Sequence, residues 1–429
     1  MVVSSPLMTI THNKDQFICA PGLQRARGCD QAEGAVEGLR EVGVFEHVVG
    51  VTYDTTPSNS SVLRGTVALI EQERNTQLVK IPCRHHIYDL FGKNLRKVVV
   101  GRNTTGPGHP LFLRFQNEWG NICGRIDYNN LSTINLATWQ GTFLEELTHN
   151  VKLWCFDALR GEAFDESKRS YRDLIHSIAA YLDAPTPPGY RFTVKKPKKV
   201  SNARFGEPAQ YYINMALLSN QLPWQLTPDE SEEVNTMALL SALFYGPGLL
   251  KSGLGTDAVY NDLASIINFR QLRLLMPEIA TEALNTWERH LDFLTPQLVV
   301  LALVCDKFSP EERNILARAL LSLLPSRDWN LPPTRVSYPG PNFTKTDNFL
   351  PSDNTMPDLG QFVTQNSFLI FNILQTTDED MKEWLSSPAE SWTSDHESDD
   401  FKLAFAQLEI FGKNNHWTND SAERYFLDA

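Results

Sequence analysis

The sequence predicts an α/β fold in which a short sheet-forming core is interrupted by a large all-α insertion. Three observations support this prediction. Short apolar runs alternate with helical patterns over residues 1–100, as in strands joined by crossover helices. From residue 101 to about 400, apolar residues recur mainly at helical spacing. Residues 401–429 again show a helical pattern and are predicted to return to the core.

The first hundred residues are predicted to contain four strands in two pairs. The first two strands are joined by a polar turn, and the later two consist of apolar runs. The run that ends at Asp54 suits a strand buried on both faces. The predicted elements are, in order, strands 6–11 and 16–20, a helix from Asp30 to 42, strand 48–53, a loop over 55–61, helix 62–73, strand 78–83 and helix 87–98.

The insertion is predicted to be helical, with irregular segments near its beginning and end. Residues 101–110 are rich in Gly and Pro and indicate a linker. Two segments, 227–230 and 309–312, place a hydroxyl residue before Pro and a Glu three residues later, which is typical of a helix start. Residues 325–360 lack periodicity and predict a long irregular loop.

Composition excludes several classes of protein. The 429 residues carry 39 Lys and Arg against 51 Asp and Glu, a net charge of −12, so any nucleic-acid contact requires a local patch. The longest apolar run, 298–305, is too short to span a membrane. No secretory signal is visible. The six cysteines form no Cys-x-x-Cys pair, which argues against a zinc ribbon. We expect an intracellular protein, nuclear or cytoplasmic, without a membrane partner.

Asp54 is the most informative candidate residue. It follows a predicted buried strand and precedes small polar residues, the position at which open α/β sheets bind ligands. A catalytic magnesium ion needs further carboxylates from other elements. The alternative is a solvated aspartate that forms an Asx turn with Thr56. Local sequence leaves both interpretations open.

Three further segments carry candidate residues. Cys83 and His86 follow the next predicted strand, where they could also be a buried thiol and a structural histidine. Glu423 lies near the end of the chain and could be an exposed acid paired with an arginine. A basic run could contact phosphate, act as a nuclear signal or be a solvated linker. Its cationic residues are Lys195, Lys196, Lys198 and Lys199.

Taken in order, these motifs resemble the RNase H-like core of hAT-type DDE transposases. In that family the second catalytic aspartate stands in an Asp-x-x-x-x-Asn context, matched by Asp54 and Asn59. A Cys-x-x-His motif follows, matched by Cys83 and His86. The third catalytic acid is a glutamate in a Ser-x-Glu-Arg helix after a helical insertion, matched by Glu423. The chain also resembles a lineage of transposon-derived animal proteins over nearly its whole length.

The resemblance implies a fold, a metal-dependent DNA chemistry and a set of catalytic residues. Three carboxylates would hold two Mg²⁺ or Mn²⁺ ions for DNA strand cleavage and transfer. Asp54 and Glu423 would be two of these ligands and should converge to within roughly 10 Å, with His86 and Cys83 beside them. The family's first strand, which carries the first catalytic aspartate, has no counterpart in this sequence.

The expected function is therefore that of a transposase-derived remnant, domesticated or truncated, without competent DNA cleavage. DNA binding is expected to be weak. One alternative is a protein-interaction scaffold that binds partners through the helical insertion. The other is an active DDE transposase whose N-terminal part is missing from this chain.

Overall fold

A computed structural model describes residues 27–392 apart from short gaps, together with the backbone of several strand segments before residue 24. The gaps are residues 62, 102–107, 161–168, 197, 199–204, 254 and 328–344, and Arg25, Phe405, Leu408 and Glu409 are also described. In this part of the chain the fold is rich in α-helix, and the strands form three two-stranded sheets.

The strands lie within the first 82 residues, as predicted. Two of the sheets are antiparallel: β1 (Val3–Ser4) pairs with β4 (Gly22–Leu23), and β2 (Leu7–Thr11) pairs with β3 (Lys14–Cys19). The third is parallel and joins β5 (Gly50–Tyr53) to β6 (Val79–Pro82). The predicted hairpin and the predicted later pair are thus both present.

The helices occupy most of the remaining described chain. Those of the first third are α1 (Gly28–Glu41), α2 (Pro57–Ser60), α3 (Thr66–Arg74), α4 (Arg84–Val100), α5 (Pro110–Asn117), α6 (Trp119–Cys123) and α7 (Phe143–Arg160). The others are α8 (Arg169–Tyr181), α9 (Gly206–Leu217), α10 (Pro228–Leu240), α11 (Gly246–Lys251), α12 (Ala258–Leu272), α13 (Pro277–Glu288), α14 (Pro296–Val299), α15 (Pro310–Leu323), α16 (Leu369–Ile373) and α17 (Asp378–Ser386).

The chain divides into two compact units. The first unit comprises Met1–His85, Ser252–Ile267 and Glu288–Ala429, and the second comprises His86–Lys251 and Asn268–Trp287. The predicted domain boundaries at residues 100 and 400 stay predictions. The chain passes between the units within α4, at the end of α11, within α12 and near the end of α13.

The core of the first unit near the parallel sheet is built by α1 and α3. Residues at helical spacing on α1, including Ala32, Val36 and Leu39, pack with Phe45 and Leu78. Burying one such large apolar side chain contributes about 1.5–3 kcal/mol. The predicted helix at Asp30 is confirmed by this packing, and its apolar face is the one that is buried.

Two local predictions near this sheet are wrong. Each residue of β5 is only half-buried, so this strand is not buried on both faces. Residues 55–61 do not form a loop throughout, because α2 adds one helical turn. Pro57 at the first position of α2 explains the difference, since its fixed φ suits a helix start and its missing N–H costs nothing there.

Helix starts in the insertion follow the sequence closely. The Thr227 hydroxyl accepts from the N–H of Glu230, and the Glu230 carboxylate accepts from the N–H of Thr227. Ser309 and Glu312 form the same reciprocal arrangement at α15. Both predicted capping boxes are confirmed, and each satisfies N–H groups that the helix itself leaves open.

The second unit is a group of helices around an aromatic core. Tyr88, Phe91 and Trp287 form ring contacts with centroids 5.4–6.5 Å apart. A five-residue π-helix, Ser241–Tyr245, connects α10 to α11 and is buried throughout. Tyr245 donates from its hydroxyl to Asp89, which also accepts from the N–H of Phe205.

Candidate functional site

The carboxylate of Asp54 lies one residue beyond the end of β5 and is held in a fixed orientation. Its Oδ1 accepts from the N–H of Thr56 at 3.0 Å, from the Thr56 hydroxyl at 2.6 Å and from Nδ2 of Asn59 at 2.7 Å. Among the described residues, none donates a hydrogen bond to Oδ2 of this half-buried side chain. One oxygen is therefore fixed by three donors, and the other keeps its lone pairs for a further ligand.

The bonds from Thr56 are those of an Asx turn, which is the structural alternative raised by the sequence. The same turn occurs at Asp353, whose Oδ1 accepts from the N–H and hydroxyl of Thr355 at 3.1 and 2.8 Å. Asp353 is exposed in a loop, and these bonds lower the pKa of its carboxyl group. The third donor, Asn59, distinguishes Asp54 from this second turn.

The segment that follows Asp54 is fixed by close backbone packing against α1 and α3. The Thr66 hydroxyl lies 3.1 Å from the carbonyl oxygen of Ser58 and 3.3 Å from that of Gly28. A Cβ atom at Gly28 would lie 2.5 Å from the Ser58 oxygen, and one at Gly65 would lie 2.5 Å from the Asn59 oxygen. Only glycine fits at these two positions, so both hold the turn that carries Asn59.

Cys83 directly follows β6, the strand that pairs with the strand before Asp54. Tyr53 and Pro82 are the last pair of the parallel ladder, and the N–H of Cys83 donates to the Tyr53 carbonyl oxygen at 2.6 Å. The prediction that Cys83 follows a strand parallel and adjacent to the Asp54 strand is thus confirmed. The thiol is 3% exposed, so bulk solvent has little access to it.

His86 lies in the first turn of α4 and is half-buried. Helix α4 begins at Arg84, three residues earlier than the helix predicted between 87 and 98. That the imidazole faces the Asp54 carboxylate stays a prediction.

Glu423 lies outside the described residues, and so does Lys199. The convergence of Glu423 with Asp54 therefore stays a prediction. Lys195, Lys196 and Lys198 are described and exposed. Their backbone runs along α9.

The sequence did not reveal the partner of Arg84, the residue inside the Cys-x-x-His motif. Its Nη2 lies 2.5 Å from Oδ1 of Asp262 on α12, and the two side chains are 1% and 4% exposed. Burial raises the pKa of Asp262 to about 6, and the Arg84 guanidinium limits this rise. Because 178 residues separate the pair, no local pattern could have predicted it.

A cluster of Asp257, Cys305 and Asp306 places three possible metal-binding atoms within 4.8 Å of one another. Burial and the Asp257 charge raise the pKa of the Cys305 thiol to about 12, so the thiol is protonated at neutral pH. The Lys307 ammonium lies 2.6 Å from Oδ2 of Asp257 and already supplies the positive charge there.

The second unit contains a buried polar cluster that the sequence also did not reveal. Nε2 of His109 lies 3.3 Å from Oε1 of Glu233, which accepts from the Tyr212 hydroxyl at 2.7 Å. Nε of Arg96 donates to that hydroxyl at 2.9 Å. Burial lowers the pKa of His109 to about 4 and raises that of Glu233. At neutral pH the histidine is therefore uncharged, and the cluster joins α4, α9 and α10.

Comparisons with known proteins give no relative: no family model, no curated protein and no solved structure matches the chain. None of the helices in the described part of the chain is both long and apolar enough to cross a membrane.

Proposed function

We propose that this chain derives from a hAT-like DDE transposase and retains part of an RNase H-like core without competent DNA cleavage. The geometry of Asp54 is the observation that supports this proposal best. The donor Asn59 is the asparagine of the Asp-x-x-x-x-Asn motif. Its bond to Oδ1 orients the Asp54 carboxylate, which would explain why the motif pairs these two residues. Fixing one oxygen of a carboxylate while leaving the other open is a common way to orient a metal ligand.

The order of elements around Asp54 also supports the proposal. An antiparallel hairpin, a helix, the strand before Asp54, a further helix and a parallel strand before Cys83 follow one another. This is the order that the resemblance implies for the core after its first strand. Asp54 and Cys83 then lie at the same end of neighbouring strands, where open α/β folds bind ligands.

In the proposed site, Asp54 and Glu423 would hold a divalent cation, Mg²⁺ or Mn²⁺. When bound, such ions activate a water or hydroxyl nucleophile and stabilise charge on the reacting phosphate. Asn59 and Thr56 keep the Asp54 carboxylate oriented, and the buried Cys83 lies at the end of the neighbouring strand. With two carboxylates of three, we expect weak metal binding and no strand cleavage.

Manganese binding by the whole chain tests the proposal. Free Mn²⁺ is measured by EPR during titration of the wild type, Asp54→Asn and Asp353→Asn. The last variant is a matched control, because it removes one charge from an equivalent Asx turn. We expect Asp54→Asn to weaken Mn²⁺ binding at least about tenfold, because even the loss of a residue that only orients a metal ligand typically has an effect of this size. We expect Asp353→Asn to bind Mn²⁺ like the wild type. Equal effects of the two substitutions would contradict the metal-binding role of Asp54.

Activity is tested with labelled duplex and hairpin DNA in Mg²⁺ or Mn²⁺. We expect no nicking or strand transfer by the wild type. Robust cleavage that disappears in Asp54→Ala would overturn the assignment as an inactive remnant and would show that another acid supplies the third ligand.

A further inference from the structure

The second unit carries an open groove beside the C-terminal end of α8. Its volume is about 670 Å³, and its walls come from residues 128–133 and 179–193. Tyr128 and Phe192 line it with their rings edge to face, at a centroid distance of 6.3 Å. Tyr128 is 43% exposed, so a flat ligand can reach a ring surface in the groove.

Positively charged residues lie at the end of the lining segment and immediately after it in the sequence. Between residues 183 and 198 the sequence contains one acid, Asp183, and four cations. Arg191 lines the groove itself, and the other three cations lie within the next seven residues. These three are Lys195, Lys196 and Lys198; within the described part of the chain no carboxylate forms an ion pair with Lys195 or Lys196, and Lys198 interacts electrostatically with the Glu207 carboxylate.

The backbone of the lysine segment is held in place by α9. The carbonyl oxygen of Lys195 accepts from Nδ2 of Asn214 at 3.0 Å, and that of Lys198 accepts from the Tyr211 hydroxyl at 3.2 Å. The N–H of Lys198 donates to Oε2 of Glu207 at 2.7 Å. These bonds fix the backbone from which the three lysine side chains extend, which reduces the entropy lost when the segment binds a ligand.

We propose that this groove binds single-stranded nucleic acid. Unpaired bases would stack on Tyr128 and Phe192, and the phosphates would bind Arg191 and the three lysines. Aromatic rings beside a line of cations are the usual elements of such sites. Rings recessed in a groove cannot stack on paired bases, and the net charge of −12 opposes extended contact with a duplex. The inference does not depend on the proposed transposase origin.

Fluorescence anisotropy of the full chain tests the inference with three fluorescein-labelled probes: a dT 15-mer, an rU 15-mer and a 15-base-pair duplex. We expect both single strands to bind more tightly than the duplex. A difference between dT and rU would identify DNA or RNA as the preferred ligand, because only RNA carries the 2′-hydroxyl.

The aromatic contribution is measured with Tyr128→Leu and Phe192→Leu. Each should weaken binding of the single strands by roughly 5- to 150-fold, the range for losing one stacked base. Phe192→Tyr keeps the ring and should bind like the wild type. Thermal unfolding of each variant confirms that the fold is kept.

The cationic contribution is measured from the salt dependence of binding. Each phosphate contact with a single strand adds about 0.7 to the slope of log K against log salt. The triple substitution of Lys195, Lys196 and Lys198 by glutamine should therefore reduce the slope by about 2. The control removes three exposed cations elsewhere, Lys97, Arg318 and Lys382, and should leave the slope unchanged.

Three results would overturn the inference. The duplex could bind as tightly as the single strands, or the leucine variants could bind like the wild type. A phosphoserine peptide of equal charge could compete as well as the dT 15-mer, which would show that the groove recognises charge without bases.

Discussion

Replacing Arg84 by methionine should strongly destabilise the first unit at neutral pH. The substitution keeps most of the side-chain volume but leaves the Asp262 carboxylate buried without its cation, at a site where the aspartate is 4% exposed. Removing one partner of a buried ion pair typically costs 3–5 kcal/mol. We therefore expect the free energy of unfolding to fall by about 4 kcal/mol at pH 7.

The loss should depend on pH in a defined direction. Burial raises the pKa of Asp262 from 3.8 to about 6 in the folded protein, so the folded state binds this proton more tightly than the unfolded state. The stability that this group contributes is fully present below about pH 4 and is lost as the pH rises through 6. A shift of this size corresponds to about 3 kcal/mol. At pH 5 the carboxyl group is mostly protonated, and Arg84→Met should cost less.

Urea unfolding followed by both tryptophan fluorescence and circular dichroism measures these changes. Arg318→Met is the matched control, because it breaks an exposed arginine–glutamate pair, in which Arg318 lies 2.9 Å from Glu311, and it should cost under about 1 kcal/mol. Asp262→Asn should remove the pH-dependent component. A cost below about 1 kcal/mol for Arg84→Met at pH 7, or an equal cost at pH 5, would refute this reasoning.

Three further predictions concern the turn at Asp54, the helix caps and the C-terminal acid. Gly28→Ala should cost about 1–3 kcal/mol in urea unfolding because its Cβ meets the Ser58 carbonyl oxygen, whereas Gly253→Ala, with open space around it, should not. Ser309→Ala should cost about 1 kcal/mol through loss of the capping box at α15, and an unchanged midpoint would contradict that role. Glu423→Ala should change stability by under about 0.5 kcal/mol in the same assay, since the proposed role of this acid is to bind a metal ion and isolated acid pairs contribute little to folding.

Local patterns predicted the elements around Asp54 well. Helix α1, the parallel strands and both capping boxes follow from periodicity and from residues adjacent in sequence, and all are confirmed. The structure of residues 55–61 is harder to predict. Pro57 and the carboxylate of Asp54 together favour one helical turn there, although the composition of the segment indicates a loop. Here a single N-terminal proline outweighs the average preference of its neighbours.

Long-range pairing could not be predicted from the sequence. Arg84 has no local sign of its partnership with Asp262, and the groove near Tyr128 depends on how residues 183–193 return to α8. Such contacts are set by tertiary packing, which a single sequence encodes only weakly. The proposed contact between Glu423 and Asp54 is likewise long-range in the sequence, so local patterns cannot establish it.

The convergence of Asp54 and Glu423 tests the central claim most directly. Both residues are replaced by cysteine in a background without other accessible thiols, spin labels are attached, and their separation is measured by EPR. An RNase H-like core predicts carboxylates within about 10 Å and therefore strong dipolar broadening between the labels. A separation comparable with the radius of gyration expected for 429 residues, roughly 22 Å, would contradict the shared metal site and the fold on which it depends.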